Sequence, residues 1–248
     1  MSQMSHPSID LSEDREKALA MFDVSRETVA RLDRFVAVLL TWQGRINLIS
    51  HSTIPVLWTR HVADSLQLLH LVDACPSSSL TFPRKPGREG QGGVWLDLGS
   101  GGGFPGLVIA SALADVPGTE IHLVESNLKK AAFLREAVRE TKVPGIVHAA
   151  RIETLVPALG AIADYVTARA VAPLPELLEM IAPFLKKGAK AFLLKGQDLD
   201  IELTEATKHW NIEAESVPSK TSKTGQILIV YALSKRTPTL PSPSSGRG

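Results

Sequence analysis

Apolar residues recur at helical spacing through the first third of the chain, then give way to short apolar runs alternating with further helical stretches. Val29, Leu32, Val36 and Leu39 form one stripe and Trp58, Val62, Leu66 and Leu69 another, each on one helix face. Asn47 and Ser50 mark the break between them. This stretch reads as a cap of three short helices, too small for an independent core and expected to pack on the remainder of the chain. From Val94 the pattern predicts strands at Val94–Leu98, Glu120–Glu125, Ile146–Ala150, Asp164–Ala168, Ala189–Leu194 and Gln226–Leu233. Helices are predicted at Gly106–Ala114, Leu128–Glu140, Leu174–Leu185 and near Leu199–His209. Such alternation argues for a parallel, doubly wound α/β sheet. Only the short polar loop Pro218 to Gly225 joins Ile212–Val217 to Gln226–Leu233. Parallel neighbours need a crossover of a dozen or more residues, so this last pair should be antiparallel.

Composition divides the chain further. Residues 1–11 and 235–248 have no apolar face and are expected to be disordered. Residues 12–73 form the helical cap, 75–93 a Pro-, Gly- and Ser-rich flexible linker, and 94–234 the α/β domain. The formal net charge of +1 excludes a global field for polyanions, so any nucleic-acid surface must be local. Cys75 is the single cysteine, which excludes an internal disulfide framework or a cysteine-based zinc site, and no metal is expected. No apolar run approaches the ~20 residues of a membrane span, and the polar N-terminus has no signal-peptide core. A soluble, cytoplasmic protein without a membrane partner is expected.

The chemistry concentrates in Trp95-Leu-Asp-Leu-Gly-Ser-Gly-Gly-Gly-Phe-Pro-Gly106. A strand runs into a glycine turn and then a helix. Gly99, Gly101 and Gly103 permit positive φ and close approach of a ligand to the backbone, and the first N–H groups of the helix are free to bind it. Pro105 suits the first helical turn. Two readings compete. Gly101 to Gly106 satisfies the dinucleotide fingerprint G-x-G-x-x-G, with Glu125 about 20 residues on. Asp97-x-Gly99-x-Gly101-x-Gly103 equally resembles the first motif of S-adenosylmethionine methyltransferases. A carboxylate at the strand end suits the ammonium group of a methionine tail and would repel a pyrophosphate. The antiparallel closing pair also favours the second reading.

Other candidates lie at strand ends, where open α/β sheets bind ligands. Glu125 could take both ribose hydroxyls, or merely complement a helix dipole. Ile152 and Glu153, after the third strand, could recognise an adenine edge. Arg169 ends an otherwise apolar strand, so its charge must be compensated; Glu153, Asp97 or a cofactor carboxylate could serve. Phe104 is placed to pack on the cofactor. Arg60, His61 and Lys195 are candidate substrate contacts at the sheet's carboxyl edge, with Lys220 and Lys223 in a loop nearby. Helical spacing puts His61 against Asp64 and Ser65, but no G-x-S-x-G elbow accompanies them.

With Asp97 to Gly106, Glu125, Arg151-Ile-Glu153, Arg169 and Lys195-Gly196 in order, the chain resembles the small-subunit ribosomal RNA methyltransferase G family, also called glucose-inhibited division protein B. The likeness extends over Asn47-Leu48-Ile49, Arg60 to Leu66 and Phe184 to Gly196. It implies a class I methyltransferase: a Rossmann-like doubly wound sheet with an antiparallel last strand, plus an N-terminal helical cap. It implies S-adenosylmethionine as cofactor and N7 of the guanine at position 527 of 16S ribosomal RNA as acceptor. The substrate is then the small ribosomal subunit or its assembly intermediate, and a monomer is expected. The family's cofactor contacts fall on Gly99, Phe104, Ile152, Glu153 and Arg169. No catalytic base is assigned, because guanine N7 carries a lone pair and no proton. Three other readings stay open here: methylation of another RNA site, a nicotinamide oxidoreductase using His61 with Asp64, and a non-catalytic, S-adenosylmethionine-sensing RNA-binding module.

Overall fold

The computed structural model describes residues 10–74 and 92–236. Most of the expected linker, including Cys75, and nearly all of the two termini expected to be disordered lie outside the described residues.

Seven strands form one sheet in the order β3-β2-β1-β4-β5-β7-β6. They are β1 (Val94–Leu98), β2 (Glu120–Val124), β3 (Gly145–His148), β4 (Tyr165–Arg169), β5 (Lys190–Lys195), β6 (Trp210–Pro218) and β7 (Gln226–Lys235). The first five are mutually parallel, while β7 runs antiparallel to both β5 and β6. The closing pair is therefore the antiparallel hairpin that its short loop requires. Strand order reverses between β1 and β4, which opens a crevice at their carboxyl ends.

Period-two alternation sends strand side chains into two cores. Trp95, Ile121, Leu123, Phe192 and Ile229 face one side. There they meet α2 (Arg26–Gln43), α3 (Asp64–Ala74), α4 (Gly106–Ala112) and α5 (Leu128–Thr141). Leu96, Val124, Val166, Leu193 and Val230 face the other, covered by α6 (Ile152–Leu159), α7 (Leu174–Leu185) and α8 (Leu199–Ala206). The N-terminal helices thus contribute Leu32, Phe35, Leu39 and Leu66 to a core shared with Leu107 and Phe133. Trp42 of α2 meets Phe133 of α5 edge-on, ring centroids 6.0 Å apart. Arg31 pairs with Asp115 beyond α4 at 2.7 Å.

Some boundaries differ from the sequence reading. A short helix α1 (Ser12–Leu19) precedes α2. The helix expected around Trp58 is a 3₁₀ stretch (His51–Val56) and a wider π turn (Trp58–Ala63) leading into α3. β7 continues through Lys235, which pairs with Glu179, so the domain runs past residue 234.

Candidate functional site

The glycine turn between β1 and α4 has the conformation its composition requires: φ is +63° at Gly99, +50° at Gly101 and +85° at Gly103. A side chain there is strained. Gly102 matters for a different reason. A Cβ there would lie 2.9 Å from the Leu48 carbonyl oxygen, so the turn packs directly against the break in the cap. That break is held by Gln43, whose amide donates to Ile49 O (2.8 Å) and accepts from Leu48 N and Ile49 N (3.0 and 3.1 Å). Pro105 follows a cis peptide and takes the N-cap position before Gly106.

Asp97 departs from its expected place beside a bound ammonium group. It is 1% exposed, accepting from Gly106 N at 3.2 Å and Thr167 Oγ1 at 2.8 Å. Its role here is to brace the turn from beneath. Burial pushes its pKa up to about 6, against hydrogen bonds with Thr167, Ser100 and Gly106 that lower it. The carboxylate above the turn is Glu125, which accepts from Gly101 N (3.0 Å) and Asn127 N (2.7 Å). Asn127 in turn caps α5 through Lys129 N and Lys130 N.

Phe104 also departs from expectation. Its ring is buried between Phe35 (centroids 5.1 Å apart) and His61 (4.9 Å), joining the cap to the turn. Its backbone, not its ring, lies on the turn. His61 is likewise turned inward: Nε2 lies 2.9 Å from Thr53 Oγ1. Burial, with Arg169 and Arg60 nearby, holds its pKa down to about 3. The π turn explains the discrepancy, because it rotates His61 away from the face that regular helical spacing assigns it. The His61–Asp64 pair that an oxidoreductase would use does not form, and a solvent-facing RNA contact by His61 is not available.

Asp64 belongs to a different network. It accepts from Gln67 Nε2 (2.7 Å), Ser219 Oγ (3.2 Å) and Thr221 Oγ1 (2.5 Å), and lies 3.5 Å from Arg169 Nη2. Arg169 therefore pairs with Asp64, and not with Glu153 or Asp97. The same Nη2 donates to Arg60 O at 3.0 Å, whereas Nη1 is buried with no hydrogen-bond partner among the described residues. Burial lowers the pKa of this guanidinium, Asp64 opposing the shift. The next residue, Ala170, has φ +53°, an unusual conformation for a residue with a Cβ.

Arg60, Asp64, Arg169, Lys195 and Glu202 line a cleft of about 430 Å³ beyond the ends of β4 and β5. Val171 also lines it, and a Cβ on Gly99 would meet Val171 Cγ2 at 2.8 Å, so cleft and glycine turn are contiguous. Lys195 bonds Glu202 at 2.6 Å and Ala172 O at 3.3 Å. Ile152 and Glu153 start α6 after β3, Ile152 half-buried against the second core and Glu153 exposed. Lys220 and Lys223 are exposed on the β6–β7 loop. Glu202 and the Asp64 network escape the sequence reading, since nothing in local spacing links them to β4 or β5.

Sheet order, reversed last strand and a glycine turn facing a strand-end carboxylate define a class I methyltransferase. The sequence model for rRNA small subunit methyltransferase G matches residues 28–229, and the chain belongs to that family. Proteins named ribosomal RNA small subunit methyltransferase G are similar to it. The one from Bradyrhizobium sp. (strain ORS 278) is 50% identical, over 92% of this chain and 95% of its own. That from Rhodopseudomonas palustris (strain BisB18) is 49% identical, over 98% and 96%. Among solved structures, an O-methyltransferase from Bacillus cereus in complex with SAH covers 89% of this chain and 97% of its own. At TM-score 0.54 and 12% identity, that likeness concerns the fold. No helix among the described residues is long and apolar enough to cross a membrane.

Proposed function

We propose that this enzyme transfers the methyl group of S-adenosylmethionine to N7 of the guanine at position 527 of 16S ribosomal RNA. Its substrate is the small ribosomal subunit or an assembly intermediate, and it acts in the cytoplasm as a monomer. The observation that carries the reading is the glycine turn, whose left-handed residues hold bare backbone against Glu125 at the mouth of the crevice. Gly99, Gly101 and the backbone of Phe104 form the cradle for the cofactor. Glu125 takes the ribose, Ile152 and Glu153 the adenine, and the unpartnered Nη1 of Arg169 an anionic group. S-adenosylmethionine supplies an electrophilic methyl group when bound.

The residues of the cleft fit a transfer that moves no proton. Asp64 is engaged by Arg169 and Glu202 by Lys195, and His61 is held neutral against Thr53. Guanine N7 has a free lone pair, so these groups need only bind the base, orient it and exclude water. Arg60, Lys195, Lys220 and Lys223 supply the positive rim for RNA. The test is transfer of tritiated methyl to naked 16S RNA, small subunits and assembly intermediates, followed by borohydride and aniline. Cleavage at the modified guanine supports N7; a methylated product that resists cleavage refutes it.

A further inference from the structure

The Lys195–Glu202 pair has unused hydrogen-bonding capacity on the wall of the cleft. Lys195 Nζ donates to Glu202 Oε2 at 2.6 Å and to Ala172 O at 3.3 Å, which leaves one of its three N–H groups. Glu202 Oε2 also accepts from Leu174 N, at 2.9 Å, at the start of α7. Its other oxygen, Oε1, takes no hydrogen bond from any described residue. The Lys195 side chain is 9% exposed and that of Glu202 28%, so both are held in place yet reachable from the cleft they line.

We infer that Lys195 and Glu202 select guanine by its Watson–Crick edge, leaving N7 clear for the methyl group. This rests on the proposed function and names the side chains that distinguish the acceptor. Guanine presents an acceptor, O6, beside two donors, the N1–H and the 2-amino group. The protein presents the complement: a lysine donor beside a carboxylate acceptor. Adenine reverses the first two groups, setting its 6-amino donors against Lys195 and its N1 lone pair against Glu202. Reading this edge, and not the edge that carries N7, keeps the reacting atom free of protein. A buried polar pair left unmatched by the wrong base makes such a site selective.

The test uses small-subunit RNA carrying guanine, inosine, 2-aminopurine or adenine at the acceptor position, with tritiated S-adenosylmethionine. Wild-type kcat/KM should fall roughly ten- to a hundredfold for inosine, which lacks the 2-amino group, and at least as far for 2-aminopurine, which lacks both O6 and the N1–H. Glu202→Gln keeps an oxygen for Leu174 N but turns an amide N–H₂ toward the base. It should lower kcat/KM for guanine by a similar factor and abolish the preference over inosine. Lys195→Met should weaken the preference over 2-aminopurine, leaving only the share that Glu202 draws from the N1–H. Cofactor affinity should hold in Glu202→Gln while loss of the charge opposite Lys195 lowers its melting temperature. The altered base preference, which a merely structural tie between α7 and α8 would not move, separates the two roles. Unchanged base preferences in both variants, or a wild type indifferent to inosine, would overturn the inference while leaving the proposed function standing. Cofactor binding without transfer to the guanine RNA would remove both.

Discussion

Glu125 uses both of its oxygens, one on Gly101 N and one on Asn127 N, so a ribose that takes this carboxylate must share or displace those bonds. Glu125→Gln keeps an acceptor for one of them and should weaken S-adenosylmethionine binding by about 1.5–3 kcal/mol, the worth of a hydrogen bond to a charged group. Titration calorimetry beside a melting curve checks this; unchanged affinity at unchanged stability removes Glu125 from the site. Arg169 has a structural duty as well. Removing either partner of the buried Asp64–Arg169 pair leaves an uncompensated charge, so Asp64→Ala or Arg169→Ala should each cost about 3–5 kcal/mol. The double variant should cost clearly less than their sum. Strict additivity in urea unfolding would show that the two do not act as a pair. Glu125 was legible in the sequence because it ends a strand, and strand ends face the crevice. The partner of Arg169 was not, because Asp64 lies in the cap and meets β4 only when the cap docks.

Between elements, the decisive contact is that of the glycine turn with the cap. At Gly103 a Cβ would meet Leu107 Cδ1 at 2.6 Å and Phe35 Cζ at 3.0 Å, on a backbone at φ +85°. Gly103→Ala should therefore lose about 2–4 kcal/mol, from the left-handed conformation together with overpacking. Chemical denaturation measures it, and a loss below about 1 kcal/mol would mean that Phe35 and the turn yield easily. Strands β1, β2, β4 and β5 stood out as short apolar runs, and the β6–β7 hairpin through its short loop. The 3₁₀ and π turns before α3 did not. Their residues have ordinary helical spacing, which gives no sign of the wider turn that carries His61 against Phe104. The bulge between Glu213 and Ala214 was equally silent.

Across the molecule, two buried groups give opposing responses to acid. His61 has its pKa depressed to about 3, so the stability that its neutral form contributes is complete above about pH 6.5 and is lost as pH falls toward 3. Asp97 has its pKa raised to about 6, so its contribution is complete below about pH 4 and is lost as pH rises through 6. In melting curves between about pH 6 and 4, His61→Phe should flatten the decline in Tm and Asp97→Asn should steepen it. The reverse order would refute these assignments. Both groups titrate below the working range, so methyl transfer at saturating cofactor should be flat over roughly pH 6.5–9. A limb in that range that vanishes with a single side chain would betray a catalytic base. Local pattern was enough for the sheet, its reversed end, the glycine turn and Glu125, because each depends on periodicity, loop length or backbone freedom within a few residues. The inward turn of His61 and Phe104, the burial of Asp97, the Asp64–Arg169 pair and the Lys195–Glu202 wall depend on which distant surfaces meet. Those contacts arise only when the cap closes over the carboxyl end of the sheet and α8 packs on α7, since spacing along a chain does not encode the partner that desolvates a side chain.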